Sequence, residues 1–313
     1  MQRDFIRALE SKIPKKTQLA NFVAEAICME KETAYRRLRG EVPFTFAEVC
    51  LLAKKLNISL DEIVSAPKDR RVTMELQIIG EDQNMNFSGQ MQTNIEYMNI
   101  ISKQPYSEVG VAMAFLTDTL YCIYPHLSRF YLMRFLYHWG NPTRPSTFSE
   151  IVDENTDYYP LYHQYHTEVT NTFYIWDRKI IREIIDDLLY FKTIRMITHD
   201  EILAIKEELH QFMVQHDEYA RKGIFTETGN KYELYLSDIH IDTTYAYIWT
   251  EITSVSMYFS FQQYRTSSIK PDIFEKISNW IKSLRRCSTL ISGIGDRERI
   301  SFFDEQHRII DSL

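Results

Sequence analysis

Cysteine is scarce in this sequence, with four among 313 residues, and no two of them form a C-x-x-C pair. This scarcity argues against a disulfide framework or a zinc finger, so we expect reduced thiols packed as small apolar groups. Glycine and proline, nine of each, are too few for long flexible tracts. No apolar run approaches the roughly 20 residues that span a bilayer, and the amino-terminal stretch predicts an amphipathic helix instead of a signal sequence. We therefore expect a cytoplasmic protein without a membrane partner.

Motifs that carry catalysis are also missing. The sequence has no G-x-S-x-G, no H-E-x-x-H and no Cys-His arrangement typical of a nucleophile and its base. His163 and His166 could ligate a metal from one helix face, but no third ligand follows at suitable spacing, so the pattern favours surface histidines. We predict no catalytic residues, no metal site and no cofactor. The sequence thus gives no positive sign of an enzyme.

The composition is that of a globular protein with two domains. Hydrophobic residues make up 44% and charged residues 25% of the chain, whose 313 residues exceed one typical domain. The polar stretch SAPKDRR at 65–71 contains a proline and predicts domains at 1–66 and 72–313, joined by a linker at 67–71. Residues 1–70 carry a net charge of +3, whereas the remainder carries −10. The positive charge is therefore concentrated where a phosphate backbone would dock.

The small domain contains the stretch MEKETAYRRLRG at 29–40, which predicts a short basic helix over 31–39. At 100° per residue, Ala34 and Leu38 lie on its apolar side. The opposite arc is polar and carries Lys31, Glu32, Tyr35, Arg36 and Arg39. Gly40 ends this helix, because glycine readily adopts the positive φ that follows a last turn.

A second short helix is predicted immediately upstream, over 18–27. Its apolar face consists of Leu19, Phe22, Val23 and Ala26. Cys28 and Met29 then supply a tight connection to the basic helix. Two short helices joined by a tight turn are the elements of a helix-turn-helix.

These residues resemble the phage-repressor/Cro-like family of helix-turn-helix DNA-binding domains. Val23-Ala24 stands where that family usually has Leu-Ala, Cys28 stands at its turn glycine, and Gly40 stands at the glycine that closes its recognition helix. The stretch at 44–63 looks like its fourth helix and the start of its fifth. The resemblance covers about the first 66 residues. It implies an all-α domain whose recognition helix enters the major groove, in dimers that read two half-sites.

Carried over by position, the resemblance assigns roles to six residues. The residues expected to contact base edges are Lys31, Glu32, Tyr35 and Arg36, and those expected to contact phosphate are Gln18 and Arg39. The side chains suit these roles, because arginine and lysine donate to guanine and glutamate accepts from cytosine. The predicted partners are double-stranded DNA and a second copy of the chain, and the sequence leaves room for a small-molecule effector.

The larger domain is predicted to be helix-rich. Amphipathic helices are expected over 177–191, 199–223, 271–288 and 297–310. Residues 231–261 are rich in Tyr, Ile, Thr, Val and Phe with period-two alternation, which predicts two or three antiparallel strands. The fold class is therefore multidomain: a small all-α helix-turn-helix domain, followed by a larger helix-rich α+β domain with a small, mainly antiparallel sheet.

The leading hypothesis is a sequence-specific, DNA-binding transcriptional regulator whose C-terminal domain senses a ligand or mediates dimerisation. One alternative is a protein-interaction module whose helix-turn-helix no longer binds DNA, and another is an enzyme in the C-terminal domain. The basic face also has a plain structural interpretation, in which Arg36 pairs with Glu32 one turn behind it on a solvated helix. A salt-dependent affinity for duplex DNA separates the first hypothesis from the second.

Overall fold

A computed structural model describes residues 2–56, 58–60, 63, 74–77, 87–138, 146–260 and 264–313. The chain divides into two compact units, Met1–Thr73 and Met74–Leu313. The linker predicted at 67–71 lies outside the described residues. Each unit has a hydrophobic core of its own.

The first unit is helical in its described residues. Its helices are α1 (Gln2–Lys12), α2 (Lys16–Ala26), α3 (Lys31–Leu38) and α4 (Phe46–Leu56). The apolar stripes of these helices close on one another and bury Phe5, Leu9, Leu19, Val23, Ala34 and Leu52. The two helices expected on either side of the turn at Cys28 are therefore confirmed, with boundaries within two residues of those predicted.

The second unit is built from helices around one sheet. Its helices are α5 (Phe87–Ser102), α6 (Asp118–Tyr121), α7 (Pro125–His138), α8 (Tyr159–Thr167), α9 (Arg182–Thr193), α10 (His199–Lys222), α11 (Pro271–Arg286) and α12 (Asp296–Asp311). Local chemistry fixes α10 at both ends. The Thr198 hydroxyl accepts from the Glu201 N–H at 3.3 Å, while the Glu201 carboxylate accepts from the Thr198 N–H at 2.8 Å, which is a capping box. Gly223 closes the helix at φ +71°, as expected for a left-handed cap.

The sheet has eight strands among the described residues. They are β1 (Glu75–Gln77), β2 (Ser107–Met113), β3 (Asn171–Asp177), β4 (Lys231–Ser237), β5 (Tyr245–Thr250), β6 (Ser254–Ser260), β7 (Tyr264–Ser268) and β8 (Thr289–Leu290). Their order across the sheet is β1-β7-β6-β5-β2-β3-β4-β8. Strand β3 pairs in parallel with β2 on one side and with β4 on the other. All other pairings among the described strands are antiparallel.

This sheet corrects part of the predicted fold class. The antiparallel pairing of β5 with β6 agrees with the prediction for 231–261, but the sheet is larger than expected and has a parallel centre. Strand β4, at the start of that segment, pairs in parallel with β3 instead of joining β5. Strand β3 was missed because six of its seven residues are buried, so it reads as a continuous apolar run without alternation. Strands covered on both faces have this pattern.

The described residues include no helix of the length and apolar character needed to cross a membrane. The longest helix, α10, has 24 residues. It carries charged residues along its exposed face and buries Ile202, Ile205, Leu209 and Phe212 on the other. Its apolar stripe thus contributes to the core of the second unit, as a helix of period 3.6 should.

Candidate nucleic-acid interface

The turn between α2 and α3 is a left-handed cap centred on Cys28. Cys28 has φ +51°, a conformation that a residue with a Cβ adopts at a cost. The Met29 N–H donates to the Ala24 carbonyl at 2.9 Å, and the Cys28 N–H donates to the Glu25 carbonyl at 3.5 Å. These two bonds form a Schellman motif, the arrangement in which glycine usually occupies the left-handed position. The resemblance placed Cys28 at a turn glycine, and its backbone has the conformation of one.

The second turn repeats this arrangement at the end of α3. Gly40 has φ +79°, and its N–H donates to the Arg37 carbonyl at 2.9 Å. The Glu41 N–H donates to the Arg36 carbonyl, also at 2.9 Å. Helix α3 is therefore a short helix of eight residues with a left-handed turn before it and another after it. The left-handed residues Cys28 and Gly40 thus bound α3 on both sides.

The two faces of α3 separate as the sequence predicts. Ala34 is completely buried in the core of the first unit, and Leu38 packs against that core. The predicted contact residues Gln18, Lys31, Glu32, Arg36 and Arg39 are exposed, and Tyr35 is half-buried. The small side chain of Ala34 lets α3 lie close against α2. All six predicted residues thus have at least part of their side chains available to a partner.

The charges on this surface are partly neutralised within the unit. Arg39 contacts Glu41 at 2.6 Å and Glu32 at 3.4 Å, and Arg36 approaches Glu41 at 3.6 Å. The hydrogen bond from Arg39 lowers the pKa of the Glu41 carboxyl. In the structural interpretation of the basic face, Glu32 was to pair with Arg36, but it lies instead against Arg39. Both arginines therefore have carboxylate partners that DNA phosphates would have to displace.

Arg37 has a structural role in the unit. Its guanidinium donates to the Pro43 carbonyl and pairs with Glu48 at 2.9 Å. It also lies over the Phe44 ring, 5.8 Å from the centroid. These contacts join α3 to the segment that precedes α4 and to the first turn of α4. The predicted set of contact residues omitted Arg37, and the structure gives the side chain other partners.

An open groove of about 300 Å³ lies between the start of α1 and the end of α3. Three arginines line it, namely Arg3, Arg7 and Arg39. Arg3 and Arg7 are one helical turn apart and exposed, and Arg7 approaches Asp4 at 3.5 Å. The sequence prediction missed both residues because it confined contacts to the motif. Their spacing of four residues on α1 was the signal that could have identified them.

The histidines considered as metal ligands are in a different environment from the one expected. His166 is buried and bonded to the Tyr174 hydroxyl, and both ring nitrogens of His163 are buried. The prediction of surface histidines was therefore wrong. Burial lowers the pKa of both side chains, that of His166 to about 3. Among the described residues no group of three or more His, Cys, Asp or Glu side chains is placed to hold a metal ion.

No family model, curated protein or solved structure matches this chain. The likeness to the phage-repressor family therefore rests on the residues of the first unit and on their local geometry. That geometry consists of two short helices, a left-handed turn between them and an exposed polar arc on the second helix. Such helix pairs occur in DNA-binding proteins and in other helical proteins. The helix pair alone therefore does not identify the binding partner, which has to be argued from the side chains of the polar arc and its surroundings.

Proposed function

We propose that the protein is a sequence-specific, DNA-binding regulator, in which α3 enters the major groove of duplex DNA. In this proposal Lys31, Glu32, Tyr35 and Arg36 face base edges, and Gln18 and Arg39 contact phosphate. Residues 72–313 would act in effector sensing or dimerisation. The observation that carries the proposal is the polar arc of α3, exposed while Ala34 on its opposite side is buried.

The chemistry of the arc supports this assignment. Arginine and lysine can donate to guanine O6 and N7, and glutamate can accept from cytosine N4. The net charge of +3 on residues 1–70 favours approach to a polyanion. The arginines at 3 and 7 extend the cationic surface beyond the motif, where further phosphates would lie. Helix α3 thus combines groups that read bases with neighbours that bind backbone.

A dimer would complete this function. One small module makes few phosphate contacts and binds weakly, whereas two linked modules on two half-sites recover affinity through effective concentration. The net charge of −10 on the rest of the chain would keep the second unit off the DNA. Light scattering of the full chain, free and with duplex bound, tests this point. A monomer at every working concentration in both states would rule the dimer out.

The test of DNA binding starts with selection of bound duplexes from a random pool, followed by titration at several salt concentrations. If Arg36 reads a base, Arg36→Ala should cost on the order of 1–3 kcal/mol on the selected site and leave random duplex nearly unaffected. Arg39→Ala should weaken all sequences similarly and reduce the salt slope by about one unit.

Lys55→Ala is the matched control, because it removes the same charge from the exposed end of α4. It should leave the preference for the selected site unchanged. Circular dichroism should first establish that each variant is folded. If Arg36→Ala binds both duplexes as the unmodified protein does, α3 does not present the reading face.

A second candidate is a protein-interaction module without DNA affinity. Two observations favour it: Glu41 contacts both arginines of the arc, and the neighbouring Phe46 is 80% exposed. Exposed aromatic side chains are common anchors at protein interfaces. For this candidate, titration with any duplex gives no saturable binding at low salt, where DNA binding would be strongest.

A further inference from the structure

The second unit contains a small pocket between α5 and the face of the sheet formed by β2, β5, β6 and β7. Its volume is about 70 Å³. Its lining is mainly apolar, and the name floor is used here for four buried lining residues on β2 and β5, namely Val109, Val111, Ala246 and Ile248. Its size is about half of the roughly 150 Å³ cavity that admits benzene in an engineered protein. The floor therefore suits a branched aliphatic group and is too small for an aromatic ring.

Two side chains of opposite charge, called the rim here, also line this pocket. Arg265 on β7 and Asp118 at the start of α6 both line it, and both are only partly buried. Against the opposing effect of burial, the charge of Asp118 and the Tyr162 hydroxyl raise the pKa of the Arg265 guanidinium, so both groups lie near it. Asp118 also accepts from the Thr119 N–H at 2.9 Å, which fixes the position of its carboxylate. The pocket thus combines one cation and one anion with an apolar floor.

From this arrangement we infer that the pocket binds a free α-amino acid with a small aliphatic side chain, of the size of valine. The ligand carboxylate would pair with Arg265, its ammonium group would pair with Asp118, and its side chain would fill the floor. Charge-assisted hydrogen bonds of this kind are the strong ones. A carboxylic acid or an amine alone would pair with only one of the two rim charges, so it should bind more weakly than an amino acid.

This site deepens the proposed function, because the amino acid would be the effector of DNA binding. That regulatory role rests on the proposed function, whereas binding of the amino acid does not. The two are therefore measured separately. Calorimetry of the full chain with L-valine tests the pocket, and titration of duplex DNA with and without L-valine tests its effect on the first unit.

Three ligands provide the comparison with L-valine. Isovalerate lacks the ammonium group, isobutylamine lacks the carboxylate, and phenylalanine keeps both charges but exceeds the floor. We expect saturable binding of L-valine and at least tenfold weaker binding of the other three. No heat with L-valine up to millimolar concentration would overturn the inference, as would equal binding of isovalerate.

Variants locate the binding in this pocket. Arg265→Gln and Asp118→Asn should each weaken L-valine binding at least tenfold, whereas Lys276→Gln, an exposed cation on α11, should not. Ala246→Val narrows the floor without changing charge, so it tests the site even if a charge variant fails to fold. Unchanged L-valine binding in Arg265→Gln and Ala246→Val, each shown to be folded, would place the ligand elsewhere. L-Valine binding without any DNA affinity would retain this site and reject the proposed function.

Discussion

Arg39 and Glu41 form an ion pair of 2.6 Å across Gly40, the residue that ends α3. The pair depends on the left-handed conformation of Gly40, which reverses the chain so that the side chains on either side of it meet. Glu41 also approaches Arg36 at 3.6 Å. In the proposed function, one carboxylate would thus compete with DNA for both arginines.

Glu41→Gln should therefore raise the affinity for duplex DNA. The change removes the carboxylate from Arg36 and Arg39, so both guanidinium groups become available to phosphate or base, and the salt slope should steepen by about one unit. Folding should be little affected, because pairs between exposed side chains contribute little to stability. Fluorescence anisotropy with labelled duplex at several salt concentrations measures the effect. Glu10→Gln, which makes the same charge change on α1, is the control. If it raises the affinity for duplex DNA by the same amount, the effect is due to net charge and not to the release of Arg36 and Arg39.

Cys28→Gly should stabilise the turn between α2 and α3. Cys28 adopts φ +51°, which costs a residue with a Cβ about 1–2 kcal/mol, while glycine adds roughly 0.5–1 kcal/mol of chain entropy to the unfolded state. The difference between these two terms is a net gain of up to about 1.5 kcal/mol. Hydrogen exchange of peptides that cover 16–40 reports this gain as slower exchange. Cys28→Ala, which keeps the Cβ, is the control, and faster exchange in Cys28→Gly than in that control would contradict the turn geometry.

Gly110→Ala should destabilise the second unit. A Cβ at Gly110 in β2 would lie 2.5 Å from atoms of both the Phe173 and Tyr247 rings, and both rings are completely buried. Overpacking of this kind costs about 1–3 kcal/mol. Denaturant unfolding followed by tryptophan fluorescence measures the loss, because all four tryptophans of the chain lie in the second unit. In a double-mutant cycle, Phe173→Leu should reduce the loss of stability caused by Gly110→Ala. If the effects of the two substitutions simply add, the Phe173 ring does not cause that loss.

The second unit should also lose stability in mild acid. Burial lowers the pKa of His166 and of His216 to about 3, whereas an unfolded histidine has a pKa near 6.5. The unfolded state therefore binds more protons between these values, and the free energy of unfolding falls as the pH falls below about 6.5. Each histidine contributes a slope of roughly 1.4 kcal/mol per pH unit.

Denaturant titrations between pH 7 and 5 isolate this effect, because most carboxyl groups titrate below that range. The His216 Nδ1 atom lies 2.9 Å from the Tyr232 hydroxyl, so His216→Gln keeps a polar partner for that group and removes one titration. Its stability should depend less steeply on pH than that of the unmodified chain. Equal slopes would indicate that His216 takes up protons alike in the folded and unfolded states, which would contradict its lowered pKa.

Sequence patterns predicted the first unit better than the second. The helices around Cys28 and Gly40 follow from local signals: apolar spacing, a glycine that ends a helix, and a tight connection. The left-handed backbone at Cys28 could be anticipated only from the resemblance, because a cysteine carries no such preference. The pairing of Arg39 with Glu41 depends on the chain reversal at Gly40, and helical spacing alone does not predict that reversal.

The sheet was harder to predict because its pairings are between distant segments. In the sequence, β2 is a short apolar run whose periodicity does not distinguish a strand from a helix. Its position between β3 and β5 explains why nearly every side chain in it is buried. The buried histidines were misplaced for the same reason. His166 sits among tyrosines in the sequence, which reads as a polar surface, but Tyr174 and Phe225 enclose it in the fold.

The order of the strands has a consequence for the protein during its synthesis. Strand β2 lies at the middle of the sheet, yet its antiparallel neighbour β5 ends at Thr250, roughly 140 residues later in the chain. At the ribosomal rate of about 5–20 residues per second, that edge of β2 remains unpaired for roughly 7–28 s. An unpaired apolar edge is a template for association with other chains. The nascent chain should therefore depend on holding chaperones until β5 has emerged.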